Sequence, residues 1–125
     1  GIPDLNVAEW RIHSTLRPAG VQQCIAKQVA EWLWMTLEDY SPEDRAALLA
    51  FTIGCSRLPA VGFSGLEPAF VVEVVPEVAA ICSPLPTAHT CANTITIPAY
   101  RSLAELAEKL FVAVHEGTGT GFDHR

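Results

Sequence analysis

Ile25, Val29, Trp32, Leu33 and Leu37 recur at intervals of three and four residues, which places one apolar stripe along a helix predicted over residues 21–39. A second helix follows directly. Ser41 offers an N-cap hydroxyl, Pro42 stands at the first helical position, and Glu43 and Asp44 put acids in the first turn. Leu48, Leu49, Phe51 and Ile53 carry its apolar side to Gly54, the expected stop. Over residues 55–68, Pro59, Gly62, Gly65 and Pro68 break both periodicities and predict a long structured loop. Phe70-Val71-Val72-Glu73-Val74-Val75 then reads as a β-strand, and Thr94-Ile95-Thr96-Ile97 as a half-buried strand closed by Pro98. Pro76, Pro84 and Pro86 bracket irregular chain between them. Ser102-Leu103-Ala104-Glu105 is a capping box opening a helix with Leu103, Leu106, Leu110 and Val114 on one face, expected to end at Gly117 before a mobile tail, 118–125. At the other end, residues 5–16 predict a short amphipathic helix, set apart by Arg17-Pro18-Ala19-Gly20, which reads as a hinge or linker.

Composition narrows the class. With 125 residues, half of them hydrophobic and 18% charged, the chain suits one compact domain rather than several. Its net charge of −6 comes from acids spread along the chain, which argues against electrostatic binding to nucleic acid or to an anionic membrane. Glu31, Glu38 and Asp39 interrupt the richest apolar stretch and Glu73 and Glu77 the next, so none approaches the ~18 residues of a membrane span. The chain opens Gly1-Ile2-Pro3 with no secretory pattern, and the expectation is a soluble piece of a longer protein in the cytoplasm, extending to the nucleus. Cys24, Cys55, Cys82 and Cys91 include no Cys-x-x-Cys pair, and reduced thiols are expected.

Chemistry concentrates near one of these thiols. Cys91 follows His89 by two residues at the mouth of a strand, and alternation along extended chain would set both side chains on one side. A thiolate is nucleophilic enough to attack a thioester without a dedicated base. The bland alternative makes Cys91 a small packing residue and His89 a solvent-facing one. A zinc site from Cys82, His89 and Cys91 has suitable donors but lacks a common spacing and a fourth ligand. Papain-like hydrolysis is disfavoured because the downstream His115 lies at the end of a helix. Gly117-Thr118-Gly119-Thr120-Gly121 has no lysine and opens no helix, so it does not read as a phosphate loop. Trp32, Trp34 and Tyr40 read as packing residues, whereas Phe122, in a glycine-rich terminus, either folds back or meets a partner.

The order of motifs is distinctive: Thr52-Ile53-Gly54-Cys55-Ser56-Arg57-Leu58-Pro59, Gly62-Phe63, Leu85-Pro86-Thr87-Ala88-His89-Thr90-Cys91, Pro98-Ala99-Tyr100, a capped helix and Phe122. Together they resemble the C-terminal lobe of a HECT-type ubiquitin ligase. The resemblance implies an α/β (α+β) fold, a small mixed sheet packed by several helices. It makes residues 1–16 the end of the N-terminal lobe, 17–20 the inter-lobe hinge and 21–125 the C-lobe with its tail. It further implies that Cys91 takes ubiquitin from a ubiquitin-conjugating enzyme as a thioester and passes it to a substrate lysine, without a cofactor or metal. By the same resemblance His89 and Thr90 orient the thiol or thioester, Ala92, Asn93 and Thr94 form a rail for ubiquitin's tail by β-addition, and Phe122 organises lysine transfer. The partners implied are ubiquitin, a conjugating enzyme docked on the N-lobe, and protein substrates. Arg57 and Pro59 match a loop that reads as architectural. The chain departs from the family at Ala92, where a large apolar side chain is usual, at Ile53 in place of Thr, and over the alanine-rich residues 77–83. Ala92 raises the expectation of a small cavity or a looser rail, and with it the alternative of a non-catalytic lobe that binds ubiquitin or another partner.

Overall fold

A computed structural model describes residues 4–77 and 84–120, residues 117–120 through their backbone alone. Helix α1 (Val7–Ile12) leads into strand β1 (Ser14–Pro18), helices α2 (Gln23–Asp39) and α3 (Pro42–Ile53), strands β2 (Phe70–Val75), β3 (Thr87–His89) and β4 (Thr94–Pro98), and helix α4 (Leu103–Thr120). The strands form one sheet ordered β1-β2-β4-β3, in which β1, β2 and β4 run parallel and β3 pairs antiparallel with β4. This is the small mixed sheet packed by several helices expected from the sequence.

Strand composition follows from position in the sheet. Interior β2 buries Phe70, Val72 and Val74 fully and leaves its alternate residues half-buried, while β4 buries Thr94, Ile95, Ile97 and Pro98. One polar row crosses the sheet: Arg17 is in register with Glu73 and donates to it at 3.2 Å, and the Thr96 hydroxyl donates to the same carboxylate at 2.8 Å. A carboxylate in mid-sheet is thus satisfied from both neighbouring strands.

The helices start where their caps predict. The Ser41 hydroxyl accepts from the Asp44 N–H, and Gly54 closes α3 in the left-handed conformation, φ 91°. Ser102 accepts from the Glu105 N–H, and the Glu105 carboxylate accepts from the Arg101 N–H. Two expectations are corrected. The buried face of α2 runs through Ala26, Val29, Ala30, Leu33, Trp34 and Leu37, and Ile25 is exposed. Ala26 and Ala30 let the helix lie close to its neighbours, and weighting by large side chains hides such a face. Helix α4 continues past Gly117 to Thr120, and each of its two internal glycines, Gly117 and Gly119, weakens a helix by only about 1 kcal/mol. The expected mobile tail is therefore helical over 118–120, and residues 121–125 lie outside the described residues.

The largest correction is at the N-terminal end. The helix expected over 5–16 stops at Ile12, and residues 14–18, which include Arg17 and Pro18 of the expected hinge, form β1: Ser14↔Phe70 through Pro18↔Val74 pair in register, and the Ala19 N–H donates to Val74 O at 2.9 Å. Pro18 suits the end of an edge strand, where a missing N–H breaks no ladder bond. Trp10 is 0% exposed, stacked on Phe63 at 5.0 Å and set edge-on to Phe70 at 5.5 Å. The Arg45 guanidinium, on α3, donates to the carbonyls of Leu5, Leu37 and Glu38. Leu5, Val7 and Trp10 thus share one core with α2, α3 and the sheet.

Candidate functional site: the β3–β4 hairpin tip

Cys91 sits at the tip of a hairpin. Ala88 pairs with Ile95 and His89 with Thr94, and the connection is a 3-10 turn over Thr90–Ala92 followed by Asn93. His89, Thr90, Cys91 and Ala92 are all exposed. The tight turn overturns the alternation argument that put His89 and Cys91 on one side, and among the described residues no hydrogen bond joins the Cys91 sulfur to either His89 or Thr90. The sulfur is open to an incoming electrophile, with imidazole and hydroxyl groups supplied by its chain neighbours.

The tip is exposed yet tied down. Asn93 takes φ 50° and ψ 42°, a left-handed conformation that asparagine adopts more readily than most residues, and it is only 7% exposed. Its side-chain amide donates to Pro68 O at 2.7 Å, and its carbonyl accepts from the Val71 N–H at 2.9 Å. The Thr94 hydroxyl donates to Ala92 O at 2.9 Å and closes the turn from below. On the other flank, Gly54 at the end of α3 lies against Thr90, and a Cβ there would stand 3.7 Å from Thr90 Cβ. Helix α3 and the loop before β2 therefore fix the position of Cys91 from two sides.

These contacts bear on where each expected site residue stands. β4 is interior, with β2 on one side and β3 on the other, so Thr94 lies within the sheet while Ala92 stands before it in the turn. Asn93 and Thr94 are moreover buried and engaged in holding the turn. Among the described residues the hairpin's free edge belongs to β3, Thr87–His89. Nor does Ala92 leave an internal cavity. It faces solvent, so the missing large side chain subtracts contact surface and leaves the core packing unchanged. Phe122, and Cys82 of the zinc alternative, lie outside the described residues, and among the described residues no three metal-ligating side chains gather.

Two supports escaped the sequence reading. Pro68 contributes a carbonyl, which every residue carries, so no signal marks it. Tyr100 is 3% exposed, and its hydroxyl donates to Pro84 O, tethering the approach to β3. Burial raises the Tyr100 pKa well above the usual tyrosine range, with the Glu105 and Glu77 carboxylates adding to the effect, so the phenol stays a donor. The motif Pro98-Ala99-Tyr100 was visible as a family feature, but its bond was not.

Comparisons with known proteins place the chain in a family. The whole chain, residues 1–125, fits the family model described as HECT-domain (ubiquitin-transferase). It is 36% identical over 117 residues to mouse Apoptosis-resistant E3 ubiquitin protein ligase 1, covering 94% of this chain and 14% of that protein. It is 34% identical over 126 residues to E3 ubiquitin-protein ligase RSP5 of Saccharomyces cerevisiae, covering 97% and 15%, and 36% identical over 124 residues to bovine E3 ubiquitin-protein ligase HACE1, covering 94% and 13%. The chain thus spans about one seventh of the length of these relatives. On this evidence, added to the motifs and the fold, the chain belongs to the HECT-domain (ubiquitin-transferase) family.

Proposed function

We propose that this chain is the thioester-forming part of a HECT ubiquitin ligase, with Cys91 as its nucleophile. The observation that carries the reading is the exposure of Cys91 at a hairpin tip whose backbone is held by Asn93 and flanked by Gly54. The Cys91 thiolate attacks the carbonyl carbon of the thioester joining ubiquitin's C-terminus to a conjugating enzyme. A new sulfur–carbon bond forms and the conjugating enzyme's cysteine leaves as thiolate. A substrate lysine amine then attacks the same carbon, Cys91 departs as thiolate, and the amine proton passes to solvent or to His89. Exchange between two thioesters gains little energy, so rate depends on placing the sulfur and the acyl carbon in line. Holding the tip rigid while leaving it uncovered serves that need.

Ubiquitin's extended tail has the free edge of β3 to add to, beside Thr87 and His89, in place of the occupied edges of β4. His89 and Thr90 then stand next to the thioester. Docking of the conjugating enzyme and choice of substrate belong to the larger part of the parent protein, and Phe122 acts at the lysine-transfer step. The inter-lobe hinge is proposed at 17–20, at the end of β1, where the chain leaves the sheet. The compartment in which this happens is the cytoplasm, extending to the nucleus.

The test joins the chain to its native N-lobe and mixes it with ubiquitin-charged conjugating enzyme. A thiol-sensitive ubiquitin adduct that disappears in Cys91→Ala supports the transferase reading. Ubiquitin binding without any adduct across several conjugating enzymes would replace it with a non-catalytic lobe, the reading that the small, exposed Ala92 favours; Ala92→Phe is then the variant to restore contact.

A further inference from the structure

A groove of about 820 Å³ opens between the second half of α2 and the first half of α4. Met35, Leu103, Phe111 and Val112 give it apolar walls, and Met35 and Phe111 are 44% and 47% exposed. Large apolar side chains facing one another across a concave surface mark an interaction site more often than chance exposure does. Phe111 is held in place, edge-on to Tyr40 at 6.3 Å and against the His115 ring at 4.0 Å, so the wall is preformed.

The rim is of one sign. Glu38, Asp39 and Glu108 line it, all exposed, and no lysine, arginine or histidine does. None of the three acids forms an ion pair among the described residues, and the Arg45 guanidinium beneath Glu38 is engaged with backbone carbonyls. We propose that this groove docks an amphipathic helix of a partner protein, with large apolar residues on its inner face and lysine or arginine along its flanks. Charge complementarity selects that occupant. A second copy of this chain, with net charge −6, meets like charge at the rim, and an anionic membrane surface does too. The shape agrees, because a helix laid into the channel between two others repeats the packing of a helical layer. The groove lies by Tyr40, just before α3 begins, while Cys91 is braced by Gly54 at the other end of that helix, about 18 Å away for 12 residues. Docking there leaves the hairpin open and does not depend on the transferase reading.

The test uses the chain itself with a labelled designed helical peptide that carries leucine at successive third and fourth positions and lysine elsewhere, and with its twin in which glutamate replaces every lysine. The lysine peptide is expected to bind about tenfold or more tighter at ~0.15 M salt, with amide shift changes confined to residues 35–40 and 103–112. Reversing the rim with Glu38→Lys, Asp39→Lys and Glu108→Lys should invert the preference. Met35→Ser and Phe111→Ser should each weaken binding of both peptides, with thermal melts verifying that the variants fold. Equal binding of the twins, shift changes elsewhere, or sedimentation showing that a second copy fills the groove would overturn the proposal.

Discussion

The two ends of the sheet are built on opposite plans. At the β1 end the chain is held by volume: Trp10 is fully enclosed by Trp34, Phe63 and Phe70, and β1 adds its register to β2. At the β3 end it is held by a few directed hydrogen bonds, from Asn93 to Pro68 and from Tyr100 to Pro84, around a tip that is almost wholly exposed. Apolar burial is strong but covers what it fixes, whereas a hydrogen bond fixes backbone and leaves the side chains beside it free. The proposed role of Cys91, a nucleophile meeting two large protein partners in turn, calls for the second plan, and a sheet edge that only carries structure can use the first.

Cys91→Ala sharpens this contrast most. It should abolish the ubiquitin adduct entirely while changing unfolding free energy by less than about 0.5 kcal/mol in a urea melt, since the side chain is exposed. Trp10→Ala should do the reverse, removing about 3–5 kcal/mol of stability and lowering activity only as far as the protein unfolds. A loss near zero would mean that the N-terminal segment is a detachable piece after all. Asn93→Ala falls between them. Losing the bond to Pro68 and placing alanine at φ 50° should cost about 1–3 kcal/mol and slow charging of Cys91 more than stability alone accounts for. Asn93→Gly, which keeps the conformation but not the bond, should recover part of the stability and less of the charging rate, read by single-turnover transfer.

The smallest effect concerns pH. Burial, with Asp44 nearby, pushes the Tyr40 pKa up to about 12, and Tyr100 is raised further. A raised phenol pKa means that the folded state disfavours phenolate. The stabilisation is complete below the ordinary value near 10 and is lost as pH climbs through the folded values. Ultraviolet titration should show both tyrosines ionising late or together with unfolding, with no effect near neutral pH.

Much of this was legible along the chain because it depends on near neighbours. Ser41, Pro42 and Gly54 bracket α3, and Ser102 with Glu105 starts α4, through contacts that span only a few residues. The run Phe70 to Val75 read as a strand from its residues, and its place inside the sheet came from the strand order. Cys91 was singled out by its motif and is exposed, and in place of the extended pair expected with His89 it stands in a turn.

What the amino-acid order determined alone was therefore the helices, their caps, the two inner strands and the residue types gathered at Leu85 to Cys91, since all of these rest on local periodicity or chain adjacency. Tertiary structure decided the rest. Whether Ser14 to Pro18 is linker or strand depends on β2, which lies more than fifty residues away and supplies every partner bond. That Asn93 braces the turn depends on Pro68, and that β3 rather than β4 has a free edge among the described residues depends on strand order. Proline and glycine weaken local structure wherever they stand, and only a partner strand across space can make Arg17 and Pro18 part of a sheet.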